Sequence, residues 1–225
     1  MVARLSTPKL AALAIVLGVL AGAGAVYVKG STSGNDPAVS QSAQQQVAAD
    51  AGSCPATEDR VAALTPLATG DVAAMAPTET PVSVASLAFD SPEGRSMTLS
   101  DLSGKTLLVN LWATWCAPCR EEMPALDQLQ REAGGEDFEV VTINIDTGDV
   151  AKAEAFLEEI GVANLALYRD ASMGVFNDLK ADGLAFGLPV TLLVDEEGCL
   201  MASMNGPAAW ASEDALRLVE AAKGI

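Results

Sequence analysis

Two apolar patterns alternate along most of the chain and predict a succession of strands and helices. Short runs of apolar and β-branched residues are typical of buried strands, and longer segments with apolar residues at helical spacing are typical of amphipathic helices. The predicted strands are residues 106–112, 138–145, 165–168, 190–194 and 200–204. The predicted helices are residues 56–67, 117–134, 150–160, 173–180 and 212–222, the last with Ser212 as its N-cap.

Turn-forming residues predict two hairpins in addition to these elements. Residues 90–94 separate the predicted strands 82–88 and 95–99, and residues 195–198 separate the last two strands of the chain. A helical turn is predicted at residues 100–104. The order of strands and helices predicts an α/β fold, in which helices cover both faces of a central mixed sheet.

The N-terminal region has a different pattern. Residues 10–28 form an unbroken apolar run that, as a helix, matches the thickness of a bilayer core, and Arg4 and Lys9 precede it. The positive-inside rule then predicts a cytoplasmic N-terminus with the rest of the chain across the membrane. A cleaved signal peptide with small residues at 21–25 is the alternative, but the length of the run favours an uncleaved anchor. The predicted regions are an anchor over 1–29, a flexible linker over 30–51 and a folded domain over 52–225.

Composition narrows the classes of function. The chain has 13 basic and 30 acidic residues, which gives a formal net charge of -17 and argues against nucleic-acid binding. It contains no histidine, which excludes Ser-His-Asp and Cys-His catalysis, histidine-based zinc sites and haem held by histidine. The chemistry must therefore come from cysteine, carboxylates, hydroxyl groups or lysine.

The candidate chemistry lies where the strand 106–112 is followed by a helix. Residues 115–119 read Trp-Cys-Ala-Pro-Cys, which places Cys116 at the N-terminus of that helix. Unpaired N–H groups and the positive end of the helix dipole stabilise a thiolate at such a position. Cys116 is therefore the predicted attacking sulfur, and Cys119, one turn further on, is the predicted resolving sulfur.

Other interpretations of this cysteine pair have less support from the sequence. A zinc site needs a second close pair, whereas Cys54 and Cys199 are single and distant. A purely structural disulfide fits poorly with a strand-to-helix position beside Trp115. The alternative from another class is a Cu(I)-binding module that uses both thiolates, although Met123 is the only additional soft ligand close to the motif. Thiol–disulfide exchange itself predicts no cofactor and no metal.

The strand, the Trp-Cys-x-x-Cys motif, the helix and the later Leu188-Pro189 before a strand resemble the thioredoxin fold over residues 82–224. Residues 109–116, Val-Asn-Leu-Trp-Ala-Thr-Trp-Cys, together with the N-terminal hairpin and anchor, are similar to the membrane-anchored TlpA and cytochrome-maturation group. The resemblance implies a cis peptide bond at Pro189. It also implies that Leu188 and Pro189 bind the substrate backbone and that Trp115 flanks the sulfurs.

The resemblance implies roles for three further positions. Glu122 stands where this group often has an active-site acid, which would tune the thiols and move protons. The alternative is a solvated helix-surface charge beside Glu121. Cys54 and Cys199 would form a structural disulfide of the layout found in TlpA, and an even cysteine count in an oxidising compartment is consistent with that pairing.

The function implied by the resemblance is a single-pass protein of the bacterial cytoplasmic membrane with a periplasmic thiol:disulfide oxidoreductase domain. It implies the reducing direction, with the copper-bearing subunit of cytochrome oxidase and its Sco-type copper chaperone as partners. A membrane electron donor would restore the dithiol. Reduction of apocytochrome c for haem attachment is the alternative. The direction of electron flow depends on the reduction potential, which local electrostatics determine.

Overall fold

The computed structural model describes residues 54 and 57–223. The predicted anchor over 1–29 and the predicted linker over 30–51 lie outside the described residues. Within the described part, none of the helices combines the length and the hydropathy that crossing a membrane requires.

The described residues form one eight-stranded sheet with helices packed against it. The helices are α1 (Thr57–Leu64), α2 (Ala117–Ala133), α3 (Ala151–Glu159), α4 (Gly174–Ala181) and α5 (Glu213–Lys223). The strands are β1 (Ala76–Pro77), β2 (Ala88–Asp90), β3 (Ser96–Thr98), β4 (Thr106–Trp112), β5 (Phe138–Asn144), β6 (Leu167–Arg169), β7 (Val190–Val194) and β8 (Leu200–Asn205). Short 3-10 helices occupy Thr65–Leu67, Gly70–Val72 and Leu99–Leu102.

The sheet is mixed, as predicted. Its strand order is β1-β8-β7-β4-β5-β6-β2-β3, in which β4, β5 and β6 are parallel and β7 is antiparallel to β4. Every residue of β4 and β7 is buried, because these strands occupy the centre of the sheet and helices pack over them. The uninterrupted apolar run that predicted β4 is the sequence signature of this position.

The N-terminal hairpin is present, but the predicted strand 82–88 is wrong over most of its length. Only Ala88 belongs to β2, which pairs with β3 and adds the hairpin to the edge of β6. Ser83 instead forms an isolated bridge with Cys199, and the Val84 N–H donates to Gly198 O at 2.9 Å. These residues therefore lie along the β7–β8 turn rather than opposite residues 95–99.

The predicted helix 56–67 is also too long. Its last turn is 3-10 rather than α-helical, because Pro66 has no N–H to donate to the carbonyl four residues earlier. The remaining predicted helices are confirmed to within a residue or two. Ser212 is the N-cap of α5, since its Oγ accepts from the Ala215 N–H at 3.2 Å.

Two opposite edges of the central sheet matter for the site. β4 ends at Trp112, and its neighbour β7 begins beside it, since Leu111 pairs with Val190. We call this edge the Cys116 end. The β7–β8 turn lies at the other edge, where Leu107 pairs with Val194, and we call this edge the Cys199 end. The pair Leu111–Val190 and the pair Leu107–Val194 are four strand residues apart, which is about 13 Å.

Candidate active site

Cys116 and Cys119 form a disulfide at the start of α2, with their Cα atoms 5.3 Å apart. Cys116 is the N-cap of the helix, and its Sγ accepts from the Cys119 N–H at 3.3 Å. Pro118 lies in the first turn, where a missing N–H costs no helical hydrogen bond. Cys119 is completely buried, whereas Cys116 is 6% exposed and the neighbouring Trp115 is 63% exposed. An approaching thiol or disulfide therefore reaches Cys116 first.

Pro189 lies at the same end of the sheet. The peptide bond from Leu188 to Pro189 is cis, and the Gly206 N–H donates to Pro189 O at 2.9 Å. Val190 pairs with Leu111 in an antiparallel register. Pro189, the residue before Val190, therefore lies level with Trp112, the last residue of β4 before the loop that carries Cys116. The structure thus brings the predicted substrate-binding residues Leu188 and Pro189 to the Cys116 end.

Glu122 is buried, and the alternative of a solvated surface charge is wrong. Its side chain lies three residues beyond Cys119 and is only 3% exposed. Oε1 accepts from Asn110 Nδ2 at 2.9 Å. Oε2 accepts from Trp210 Nε1 at 2.9 Å and from the Ala208 N–H at 3.2 Å. Strand β4 and the segment between β8 and α5 therefore hold this carboxyl group, which α2 carries three residues beyond Cys119.

Burial raises the pKa of Glu122 from 4.5 to about 7, because desolvation disfavours the carboxylate. The hydrogen bonds from Asn110, Trp210 and Ala208 lower the pKa and offset part of this effect. A carboxyl group with a pKa close to neutrality exchanges protons readily with a cysteine thiol. Glu122 is therefore suited to proton transfer at the dithiol.

Asn110 connects Glu122 to the opposite strand. Its Nδ2 also donates to Thr191 Oγ1 at 3.0 Å, so that β4, β7 and α2 are joined by one chain of buried polar groups. Five side-chain atoms of the described residues are buried without a hydrogen-bond partner: Asn110 Oδ1, Trp112 Nε1, Thr114 Oγ1 and the Nε atoms of Arg60 and Arg169. The first three belong to β4 or to the loop that leads to Cys116.

Asp146 is a residue of the site that the sequence analysis missed. Its Oδ2 accepts from the Thr114 N–H at 3.1 Å and from Asn144 Nδ2 at 2.9 Å, and the residue is 5% exposed. It therefore fixes the backbone two residues before Cys116. The sequence did contain a signal for Asp146. Parallel strands place their carboxyl ends at one edge of the sheet, so that a polar residue just after β5 lies beside the end of β4. Trp210 was missed as well, and no local pattern connects it with Glu122.

Cys54 and Cys199 form the second disulfide, with their Cα atoms 5.8 Å apart and both residues buried. The bond lies at the Cys199 end and therefore does not take part in the site around Cys116. Asp195 Oδ1 accepts from the Cys199 N–H at 2.7 Å, and Asp195 Oδ2 accepts from Thr57 Oγ1 at 2.7 Å. Arg60 Nη1 donates to Glu196 Oε2 at 2.5 Å. The bond thus joins the start of the described domain to the β7–β8 hairpin.

The Cu(I) alternative concerns the sulfurs of Cys116 and Cys119 themselves. Across residues 57–223 together with Cys54, no three cysteine or carboxylate side chains are grouped so that they hold a metal ion. The two sulfurs that would form a Cu(I) site are bonded to each other in this state.

The fold and the site define the class. A mixed sheet, a disulfide at the N-terminus of the helix that follows a central strand, and a cis proline at the same end form the framework of thioredoxin-like thiol–disulfide oxidoreductases. The chain belongs to the Redoxin family, whose model matches residues 73–218, well over half of its length.

Comparison with known proteins agrees with this class. The chain is 34% identical over 110 residues to the thioredoxin-like protein YneN of Bacillus subtilis, covering 48% of this chain and 60% of that protein. It is 28% identical over 118 residues to the thiol-disulfide oxidoreductase ResA of the same organism, covering 52% and 63%. The chain thus spans less than two thirds of these curated relatives.

The chain is also similar to a solved structure, and the similarity extends over nearly the whole length of that structure. It is a thiol:disulfide interchange protein of the thioredoxin family from Chlorobium tepidum, with a TM-score of 0.53 and 26% sequence identity. The alignment covers 65% of this chain and 99% of that one.

Proposed function

We propose that the protein is a membrane-anchored thiol–disulfide oxidoreductase that reduces disulfide bonds of other proteins in the periplasm. The observation that carries this proposal is the asymmetry of the Cys116–Cys119 pair. Cys116 keeps 6% exposure beside the exposed Trp115, whereas Cys119 is completely buried. Attack and resolution, the two steps of thiol–disulfide exchange, need such a pair.

The exchange proceeds in two balanced steps. The Cys116 thiolate attacks one sulfur of a substrate disulfide, forms a mixed disulfide and releases the other substrate sulfur, which takes up a proton. Cys119 then loses its proton, attacks Cys116 Sγ and releases the second substrate thiol. Two electrons and two protons pass to the substrate, and the Cys116–Cys119 disulfide remains.

Glu122 acts in the second step. Cys119 is buried, so that its thiol needs a nearby base before it attacks Cys116. Glu122 lies on the same helix three residues later, and positions three apart share one helix face. With its pKa near 7, the Glu122 carboxylate accepts the Cys119 proton at neutral pH.

The proposed location and partners rest on the sequence. The apolar run within residues 1–29 would anchor the chain, and the linker 30–51 would let the domain reach neighbouring proteins at the membrane surface. The similarity of residues 109–116 to the TlpA group favours the copper-bearing subunit of cytochrome oxidase and its Sco-type chaperone as substrates. Apocytochrome c is the alternative substrate, with the same chemistry. A membrane electron donor would reduce the Cys116–Cys119 disulfide after each cycle.

A trapping experiment tests the exchange reaction. Cys119→Ser leaves the attacking sulfur and removes the resolving one, so that mixed disulfides through Cys116 should accumulate on non-reducing gels of membranes. Cys116→Ser is the matched control and should form none. Failure of Cys119→Ser to form adducts, together with stoichiometric copper retention by the reduced protein, would replace the proposal by the Cu(I)-binding module.

The reduction potential of the pair tests the proposed direction. A value at or below about -220 mV, in the range of glutaredoxins and thioredoxin, supports a reductant. A value near about -120 mV, where DsbA lies, would identify a disulfide donor instead and would remove the proposed partners.

A further inference from the structure

Large exposed apolar side chains are concentrated at the Cys116 end. The described residues contain three of them: Phe186 is 80% exposed, Trp115 is 63% exposed and Val82 is 43% exposed. Trp115 adjoins Cys116, and Phe186 precedes Pro189 by three residues, a chain distance of at most about 11 Å. A single exposed apolar residue is common on protein surfaces, so that exposure alone does not assign a role to Phe186.

The backbone of Phe186 is held in place although its side chain is exposed. The Phe186 N–H donates to Asn205 Oδ1 at 2.8 Å, and Asn205 Nδ2 donates to Leu184 O at 2.9 Å. Ala185, between these two residues, is buried in the core. One side chain at the end of β8 thus fastens both ends of a three-residue segment, and the middle residue is packed inward. Phe186 is presented outward from a fixed position.

The fixed segment is continuous with the site. Asn205 pairs with Val190 across β7 and β8, and Val190 pairs with Leu111 of β4. The Gly206 N–H also donates to Pro189 O at 2.9 Å. The ladder that positions the cis proline therefore also positions Phe186, so that Phe186 lies at the same end of the sheet as Trp115 and Cys116. A pre-organised apolar contact loses little entropy when a partner binds.

We propose that Phe186 determines substrate specificity by binding an apolar side chain next to the reacting cysteine of the substrate protein. The occupant is a substrate segment with a residue of the leucine or phenylalanine type beside its cysteine. The inference rests on the proposed function, because the segment is delivered by the exchange at Cys116. Burying such a side chain against Phe186 should favour apolar over polar substrates by about tenfold.

Two peptides that differ in one residue test this inference. Each contains one cysteine activated as a mixed disulfide with 5-thio-2-nitrobenzoate, and the residue beside the cysteine is leucine in one peptide and serine in the other. The reduced full-length chain attacks the peptide sulfur through Cys116, and thionitrobenzoate leaves as a coloured thiolate. The measured quantity is the ratio of the second-order rate constants for the two peptides.

The original chain should prefer the leucine peptide by about tenfold. Phe186→Ser should bring the ratio close to one, and Phe186→Leu should retain most of it. Val82→Ser is the matched control, because it removes another exposed apolar side chain at the Cys199 end. Val82 lies beside the start of β8, since the Leu200 N–H donates to Val82 O. Leu200 is five residues, or about 16 Å of strand, from Asn205, which holds Phe186. The control should keep the original ratio.

The outcomes separate this inference from the proposed function. A ratio near one for the original chain, or an unchanged ratio in Phe186→Ser, overturns the specificity role and leaves the exchange reaction intact. An equal loss in Val82→Ser also overturns it, because the effect would then not belong to the Cys116 end. If the reduced chain releases thionitrobenzoate from neither peptide, the proposed function itself fails.

Discussion

The two disulfides lie at opposite ends of one sheet and have different surroundings. Cys116 and Cys119 are three residues apart and close a single helical turn, whereas Cys54 and Cys199 are 145 residues apart and join distant parts of the domain. At the Cys116 end, a buried carboxyl group has its pKa raised to near neutrality, and polar atoms of β4 lack partners within the described part of the chain.

At the Cys199 end most polar groups are hydrogen-bonded, although Arg60 Nε is buried without a partner among the described residues. Asp195 accepts from the Thr57 hydroxyl and from the Cys199 and Glu197 N–H groups, and Arg60 lies against the acidic turn. Desolvation and the neighbouring charges of Glu196 and Asp195 raise the pKa of Glu197, an exposed side chain of this turn. One disulfide therefore lies at the end of the sheet with a buried carboxyl group whose pKa is near neutrality, and the other lies among hydrogen bonds that join the start of the domain to the β7–β8 turn.

Removal of the bond at the Cys199 end should have the largest effect on stability. The double variant Cys54→Ala with Cys199→Ala frees a loop of about 145 residues in the unfolded chain, which lowers the free energy of unfolding by up to about 5 kcal/mol. Urea denaturation measures the loss. The reduction potential of Cys116–Cys119 should change by less than about 30 mV, because the two bonds share no contacts.

The matched control for this prediction is Cys116→Ala with Cys119→Ala. It should lower stability less, because loop-closure entropy grows with the logarithm of loop length and this loop contains a single turn. Equal losses from the two double variants would erase the distinction between the ends. A large change of potential in the Cys54/Cys199 variant would show instead that the ends are coupled.

The two ends should also differ in how their contribution to stability depends on pH. The folded pKa of Glu122, about 7, lies above its ordinary value of 4.5, so that the native state binds more protons between these values. Its stabilising contribution is therefore fully present below about pH 4.5 and is lost as the pH rises through 7. The stability difference between the original chain and Glu122→Gln should fall by about 3 kcal/mol across this window.

Unfolding free energies of both proteins at several pH values measure this difference, since other titrating groups contribute equally to both. Glu121→Gln is the matched control, because Glu121 is the exposed neighbour on the same helix. This variant should not reproduce the fall seen with Glu122→Gln. A flat curve for Glu122→Gln would mean that the buried carboxyl titrates in its ordinary range. The Cys116 end would then lack its responsive group.

The parts of the fold that a local pattern determines could be predicted from the sequence. β4 has the predicted bounds because seven consecutive buried residues leave one apolar run. The position of Cys116 at a helix N-terminus follows from the end of that run and from Pro118, which favours the first turn of a helix. The attacking and resolving sulfurs were therefore accessible to sequence reasoning.

The parts that depend on distant contacts could not be predicted in the same way. Helical spacing alone did not show that Glu122 is buried, because its cover comes from Trp210, 88 residues later. The strand predicted at 82–88 failed because bonds to the β7–β8 turn compete with hairpin pairing at Val84. In both cases the deciding partner lies outside any local window.

Asp146 provides the smallest predicted effect and the closest test of the comparison. It lies at the Cys116 end, yet it fixes backbone as Asp195 does at the Cys199 end, since it accepts from the Thr114 N–H. Asp146→Ala leaves this N–H and the Asn144 amide without that acceptor and should lower the free energy of unfolding by about 2 kcal/mol. Asp146→Asn retains an acceptor and should lose less than half of that.

The two Asp146 variants should agree in reduction potential although they differ in stability. Each removes the carboxylate that accepts from the Thr114 N–H, and Thr114 lies two residues before Cys116. Loss of this negative charge favours the thiolate and hence the reduced pair, so that the potential should rise by roughly 20 mV. Redox titration in glutathione buffers measures this shift. If the potential rises only in Asp146→Ala, the shift follows from a displaced Thr114 backbone rather than from charge. Asp146 would then have a purely structural role, like that of Asp195 at the Cys199 end. If it rises equally in both, the Cys116 end is tuned by a carboxylate on each side of its disulfide.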